Sequence, residues 1–258
     1  MATGRTVDKW LRVYFAGYDI SGYTRRIDGA QGVTYDEANL TCLSDQVKGY
    51  LPNLAQVDFG TVNGVFDNTA TSGLHVIANS EGVARATLAA YGQLAEPAQG
   101  DVCFGGVFAC AGYQAASDGG AMTATIPFSG WAADAAVRFA ARPFGSVLHA
   151  NSAVAAANTA IGIDDNGGAS ALGGYMVYHV LASSNAAHTA TIKVQDAAVN
   201  LDGSFADLVG CTTGVITVTA GVSGIVAATV SAVRQYLRWQ VVLGTATSVT
   251  FVLGFFRG

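Results

Sequence analysis

Charge is scarce in this chain. Only 12% of its 258 residues are Asp, Glu, Lys or Arg, 18 acids against 13 bases, for a net charge of −5. Tight binding to nucleic acid draws on clustered Lys and Arg that release counterions from phosphates, and an acidic chain with scattered bases argues against it. Proline is rarer still, at four residues, and with few charged blocks this argues against disorder. No apolar run is long enough to cross a membrane, so no membrane partner is expected. From Met1 to Trp10 the chain carries charge and no apolar leader core, which reads as a protein made in a cytosol without an export signal.

Chemistry is as thin as charge. Cys42, Cys103, Cys110 and Cys211 have no paired metal-ligand spacing and read as buried or half-buried thiols. Cys103 and Cys110 are seven apart, an odd step that puts them on opposite faces of one strand. His75, His149, His179 and His188 are scattered, with no zinc-binding spacing. Asp164-Asp165-Asn166-Gly167 lacks the alternating ligands and distal Glu of a calcium loop and reads as a turn. No Ser stands in a nucleophile elbow, and Gly105-Gly106 and Gly167-Gly168 lack the rest of a phosphate-binding loop. Asp36-Glu37 are neighbours on a strand, a poor acid–base couple because they point apart. Arg234 and Arg238 flank aromatics and read as stems packed along a sheet rather than a nucleic-acid surface. No enzyme, cofactor or metal is expected.

What the chain has is 51% hydrophobic residues and 32 Gly. Ala, Gly, Val and Thr dominate, a composition suited to pleated sheet punctuated by turns. So apolar and thinly charged a surface is an uncomfortable one for a soluble monomer, and the economical reading is burial against copies of itself.

The pattern predicts an all-β protein with one short helix. Strand candidates are Trp10–Phe15, Tyr18–Tyr23, Val33–Ala38, a long alternating strand over Leu54–Phe66, Val83–Tyr91, Asp101–Gln114 and Ala121–Trp131. Thr69–Ser80 reads as the helix, capped by Thr71 or Ser72, with Leu74, Ile77 and Ala78 on one face. Ser117-Asp118-Gly119-Gly120 reads as a hairpin turn. Ala132–Gly145 marks a boundary, giving a domain of residues 1–143 and another of 144–258. Past it, Ser146–Ala160 is small and low in complexity. Gly174–Ser183, Thr189–Asp196, Val215–Thr219, Ile225–Val230 and Tyr236–Phe255, broken at Gly244, then suggest a β-sandwich.

Several motifs fall in a telling order. Tyr18-Asp19-Ile20-Ser21-Gly22-Tyr23 is followed by a loop from Leu43-Ser44 to Gly49-Tyr50-Leu51-Pro52-Asn53-Leu54. Val57 to Phe66-Asp67 comes next, then Thr71-Ser72-Gly73-Leu74-His75, Val83–Gly92 and Gly100–Phe104. This succession resembles phage tail tube proteins, with Asn53 standing where that family's turn has Gly. Val147-Leu148-His149-Ala150, Gly173 to Val180, Ile192 to Asp196, Phe205 to Val209 and Val233 to Arg238 resemble a β-sandwich domain at the C-terminus of some phage virion proteins. The resemblance implies a tail-tube-like β-barrel or sandwich domain followed by a surface-projecting β-sandwich. It implies six-subunit rings stacked into a tube, contacts with other tail or head proteins, and DNA passing through without sequence-specific binding. Asp36, Glu37 and Asp58 are the candidate lumen-lining acids. The runner-up is a capsid decoration protein. A sugar-binding module would present aromatics, whereas Trp10, Trp131 and Trp239 sit in apolar strand patterns and are expected to be buried.

Overall fold

The computed structural model describes residues 8–29, 31–39, 50–79, 82–130, 144–164, 168–185 and 187–258, with backbone only at 35–39, 50–56 and 130. The first half holds β1 (Leu11–Phe15), β2 (Tyr18–Asp19), β3 (Thr24–Asp28), β4 (Gly32–Asn39), β5 (Tyr50–Asp58) and β6 (Gly60–Val65). Helix α1 (Leu74–Ala78) follows, then β7 (Ala84–Tyr91), β8 (Val102–Cys110), β9 (Gln114–Asp118) and β10 (Ala121–Gly130). The second half holds β11 (Phe144–Val154), β12 (Ile163–Asp164), β13 (Gly174–Ser183), β14 (Thr189–Ala197) and β15 (Ala206–Thr212). It closes with β16 (Ile216–Thr217), β17 (Val222–Ala227), β18 (Tyr236–Leu243) and β19 (Val249–Arg257). The protein is all-β with one short helix among the described residues, and every strand pairing is antiparallel.

One twelve-stranded sheet runs through both halves in the order β17-β13-β19-β11-β8-β10-β6-β3, with β1, β2, β7 and β9 attached at its side. The boundary read from the sequence falls on residues outside the described ones, apart from Phe144 and Gly145. The sheet passes across it, because Phe144, Gly145 and Ser146 of β11 pair with Phe104, Cys103 and Val102 of β8. A five-stranded sheet built on β12-β18-β14-β15 packs on the second half's part of the large sheet, and β4 and β5 form a separate ribbon.

Three apolar clusters hold these layers. In the second half, alternate residues of β14, Ala190, Ile192 and Val194, face Met176, Val180, Phe251, Leu253 and Phe255 of the large sheet, a sandwich core by simple period-two alternation. In the first half, Phe15, Phe59, Phe104, Phe108 and Phe128 close around Val62, Ile126 and the buried face of α1, Leu74, Ile77 and Ala78. The third cluster belongs to both halves: Tyr14, Leu88 and Cys103 pack against Val147, Tyr175, Val177, Val252 and Phe256. Tyr175 stacks on Phe256 at 4.8 Å and donates its hydroxyl to Gly105 O at 3.2 Å. Cys103 and Cys110 enter different clusters, as their odd spacing requires.

A second joint is made of backbone. Gly17, at φ +85° in the turn between β1 and β2, donates its N–H to His179 Nδ1 at 3.1 Å and accepts from Gly221 N at 3.1 Å. A Cβ on Gly17 would lie 2.4 Å from the Gly221 carbonyl carbon, so this approach admits only glycine.

Three local readings are corrected. The long strand over Leu54–Phe66 is two strands, β5 and β6, in different sheets. The chain breaks at Gly60, whose φ of +89° and close approach to Asp28 O exclude a side chain. On the neighbouring strand β3 a bulge at Arg25 lies between the pairs Thr24↔Gly64 and Arg26↔Asn63. The helix is shorter than expected and starts from Gly73 without a side-chain cap. The small-residue stretch after 145 is strand β11, held centrally between β8 and β19, where neighbours on both sides override weak propensity.

Candidate assembly surfaces

At one end of the large sheet, four strands run in the order β9-β10-β6-β3. Their register is continuous across the run. Gln114 pairs with Thr125, Thr125 with Asn63, and Asn63 with Arg26. Gly119 and Gly120, at φ +59° and +90°, make the two-residue turn that sets the β9–β10 hairpin. Alternation then sorts the faces. Val62, Ala124, Ile126 and Phe128 enter the first-half core. Thr61, Asn63, Thr123 and Thr125 lie on the opposite, solvated face.

That second face is polar and nearly neutral. Asn63 Nδ2 donates to Asp28 Oδ2 at 2.8 Å, and Thr125 donates to Asn63 Oδ1 at 2.9 Å. Arg26 pairs with Asp28 at 3.0 Å. A row of uncharged hydrogen-bonding groups with two internally balanced ion pairs, Arg26–Asp28 and Arg25–Asp118, presents little net field to a polyanion.

The run has two outer edges with no strand partner among the described residues. β9 pairs only with β10 and is exposed along its whole length; β3 pairs only with β6. Each is five residues long. Because four antiparallel strands alternate in direction, β3 and β9 run opposite ways. A β3 edge laid against the β9 edge of a second copy would therefore continue the antiparallel ladder unbroken. Unpaired edges of this kind invite association. The sequence reading missed β3, because Arg25-Arg26 disguises a short strand whose inward residue is Ile27.

Two of the three acids singled out from the sequence, Asp36 and Glu37, lie on β4, in the stretch between Gly32 and Asn39 that pairs with β5. Their side chains are outside the described ones. Asp58 closes the ribbon's other strand opposite Gly32 and is half-buried. At ~3.3 Å per residue it stands roughly 13 Å along the ribbon from Asp36, so the structure does not gather the three into one cluster.

Other candidates resolve into structure. Cys103, Cys110 and Cys211 are free and buried, and burial pushes the Cys211 thiol up, away from reactivity; Cys42 lies outside the described residues. Arg238 is 5% exposed. Its guanidinium donates to Gln195, Ala160 O and Asp202, and lies 4.3 Å over the Phe205 ring. Arg234 is exposed and anchored to Asp196 through its backbone N–H. His149 stacks on Phe251 at 4.0 Å and donates Nδ1–H to its carbonyl; burial pulls its pKa down to about 4, opposed by that bond. His179 is wholly buried and held neutral, its pKa pulled down to about 3 by desolvation. Trp239 is half-buried against His149 and Phe251. Trp10 is half-exposed under Lys9 rather than buried, and Trp131 lies outside the described residues. No group of three His, Cys, Asp or Glu among the described residues has metal-binding geometry. An open polar groove of about 240 Å³ lies along Lys9, Arg12, Arg25 and Arg26, and the three arginines are already paired, with Glu96, Asp118 and Asp28.

No protein-family profile matches this chain, and no curated protein matches it. Among solved structures it is weakly similar to Dit (gp 19.1) of SPP1, described as a paradigm of the hub adsorption apparatus in phages that infect Gram-positive hosts. That likeness spans 96% of this chain and 98% of the other, at 9% identity and a TM-score of 0.31. A likeness at that level carries no argument, and the functional reading rests on the chain itself.

Proposed function

We propose that this chain is a structural virion protein of a tailed phage, assembling into stacked six-subunit rings that form the tail tube through which DNA is delivered. One observation supports it most. The β9-β10-β6-β3 run has an apolar inner face, a polar outer face whose charges are paired, and two outer edges of equal length that run in opposite directions and have no strand partner among the described residues. Joined head to tail by rotation, such runs close into a barrel and leave no edge exposed.

Barrel geometry limits the ring size. With strands ~4.8 Å apart and tilted about 40°, six copies of four strands give a backbone diameter of about 48 Å. Three copies give about 24 Å, which inward side chains reduce to a gap too narrow for a duplex. A hexameric ring thus suits a DNA channel lined by Thr61, Asn63, Thr123 and Thr125. In this reading Asp36, Glu37 and Asp58 approach the channel from the ribbon and add weak repulsion of phosphates. The C-terminal sandwich faces away, where other tail or head proteins are reached.

Negative-stain electron microscopy of the purified protein at high concentration tests this. Hollow tubes of stacked six-fold rings are expected. Monomers or trimers that never stack, but bind empty capsids, would replace the tube with the capsid-decoration reading.

A further inference from the structure

The two free edges are already linked by a charge. Arg25 is the bulged residue of β3, and its guanidinium lies 3.8 Å from the carboxylate of Asp118, the last residue of β9. Both side chains are open to water, at 48% and 76% exposure. So one chain carries a cation on one free edge and an anion on the other, and in the isolated chain each neutralises the other. A bulge that sets a charged residue on an edge strand is a known way to hold off unwanted pairing.

We propose that Arg25 and Asp118 form an exchangeable ion pair, closed within one chain before assembly and re-formed between chains when the β3 edge of one copy meets the β9 edge of the next. This inference rests on the tube reading and names the partner of each edge as a second copy of the same chain. The chemistry is complementary in one direction only. With Arg26 balanced by Asp28 on the same strand, Arg25 is the surplus charge of the β3 edge and repels a second β3 edge, and a β9 edge ending in Asp118 repels a second β9 edge. Two-fold edge contacts are disfavoured and the head-to-tail contact that closes a ring is left. Because the pair exists on both sides of the equilibrium, it adds little net attraction; it selects partner and register.

The test is a complementary mixture. The Arg25→Asp chain carries acids at both positions, and the Asp118→Arg chain carries bases at both. Alone, each meets like charge at every edge contact. Mixed in equal amounts, each edge of one meets the opposite charge on the other. The half-assembly concentration at low ionic strength is expected to be about fivefold lower for the mixture than for either variant, a ratio in keeping with exposed pairs. The gap should close at high salt as screening shortens to a few ångströms, and native mass spectrometry should find both variants in one ring. Equal assembly of mixture and single variants, or rings that sort by variant, would overturn the proposal. Should a charge-reversed chain fail to fold, an Arg25→Cys chain mixed with an Asp118→Cys chain serves instead. A mixed disulfide joining positions 25 and 118 is expected, and its absence in formed rings would overturn the proposal. Wild-type rings without these effects remove only the edge pair, whereas a wild type that forms no oligomer removes the tube reading with it.

Discussion

Single residues fix the joint between the halves. Gly17 meets backbone at Gly221, which cannot swing aside as a side chain can. Gly17→Ala is therefore expected to destabilise by about 2–4 kcal/mol, seen as a lower urea midpoint. His179 and His149 give the joint and the neighbouring core an acid sensitivity. Both have folded pKa values, about 3 and about 4, below the ordinary 6.5. Between those values the unfolded chain binds protons that the folded chain refuses. Stability is therefore full above pH 6.5 and falls as pH drops toward 4 and then 3. Thermal melts from pH 8 to 4 should show that decline, and a Tm unchanged down to pH 4 would refute it. Little of this was readable from the sequence, where four scattered histidines gave no spacing to interpret and Gly17 was one punctuating glycine among many. Their roles come from contacts 162 residues apart along the chain, as between Gly17 and His179.

Elements were more legible where local pattern and tertiary demand agree. Gly174–Ser183 is strand β13 with the bounds its Val- and Tyr-rich alternation indicates. Gly119-Gly120 makes the turn its composition requires, and Leu74, Ile77 and Ala78 turn one helical face inward. Legibility failed where neighbours decide. β11, rich in Ser, Ala and Asn, is a strand because β8 and β19 flank it, whereas β15 is an edge strand that pairs with β14 alone. The split at Gly60 was hidden because alternation runs on through it. At this scale the sandwich core carries the second half. Phe251, fully buried against His149 and Trp239, is expected to cost about 3–5 kcal/mol as Phe251→Ala, measured by denaturant unfolding. Replacing Gly119 and Gly120 by alanine forces two left-handed positions on residues with a Cβ. It should shift the β9 register and weaken assembly more than it lowers Tm.

The whole molecule joins its two halves by a common sheet and a shared core, and at one end β3 and β9 have no outer strand partner among the described residues. The low charge of the sequence has a counterpart in the structure: the solvated face of the β9-β10-β6-β3 run carries Thr61, Asn63, Thr123 and Thr125, and its charges are paired with one another. Adding charge there gives a separable effect. Thr61→Lys with Thr125→Lys should leave ring formation intact while making tubes retain DNA in a salt-dependent way, which wild-type tubes should not do. The candidate lumen acids come from the tail-tube resemblance read onto alternating strands, and alternation does not reveal which sheet a strand joins. Asp36 and Glu37 belong to the ribbon, and the polar face was built by residues too ordinary to attract notice.

Amide hydrogen exchange compared between dissociated and assembled protein tests the edge-to-edge account most directly. The amides of Gln114–Asp118 and Thr24–Asp28 that point outward in the free chain should become strongly protected together on assembly, while those of the edge strand Ala206–Thr212 stay unchanged. Assembled particles in which the β3 and β9 amides exchange as fast as in the monomer would contradict it.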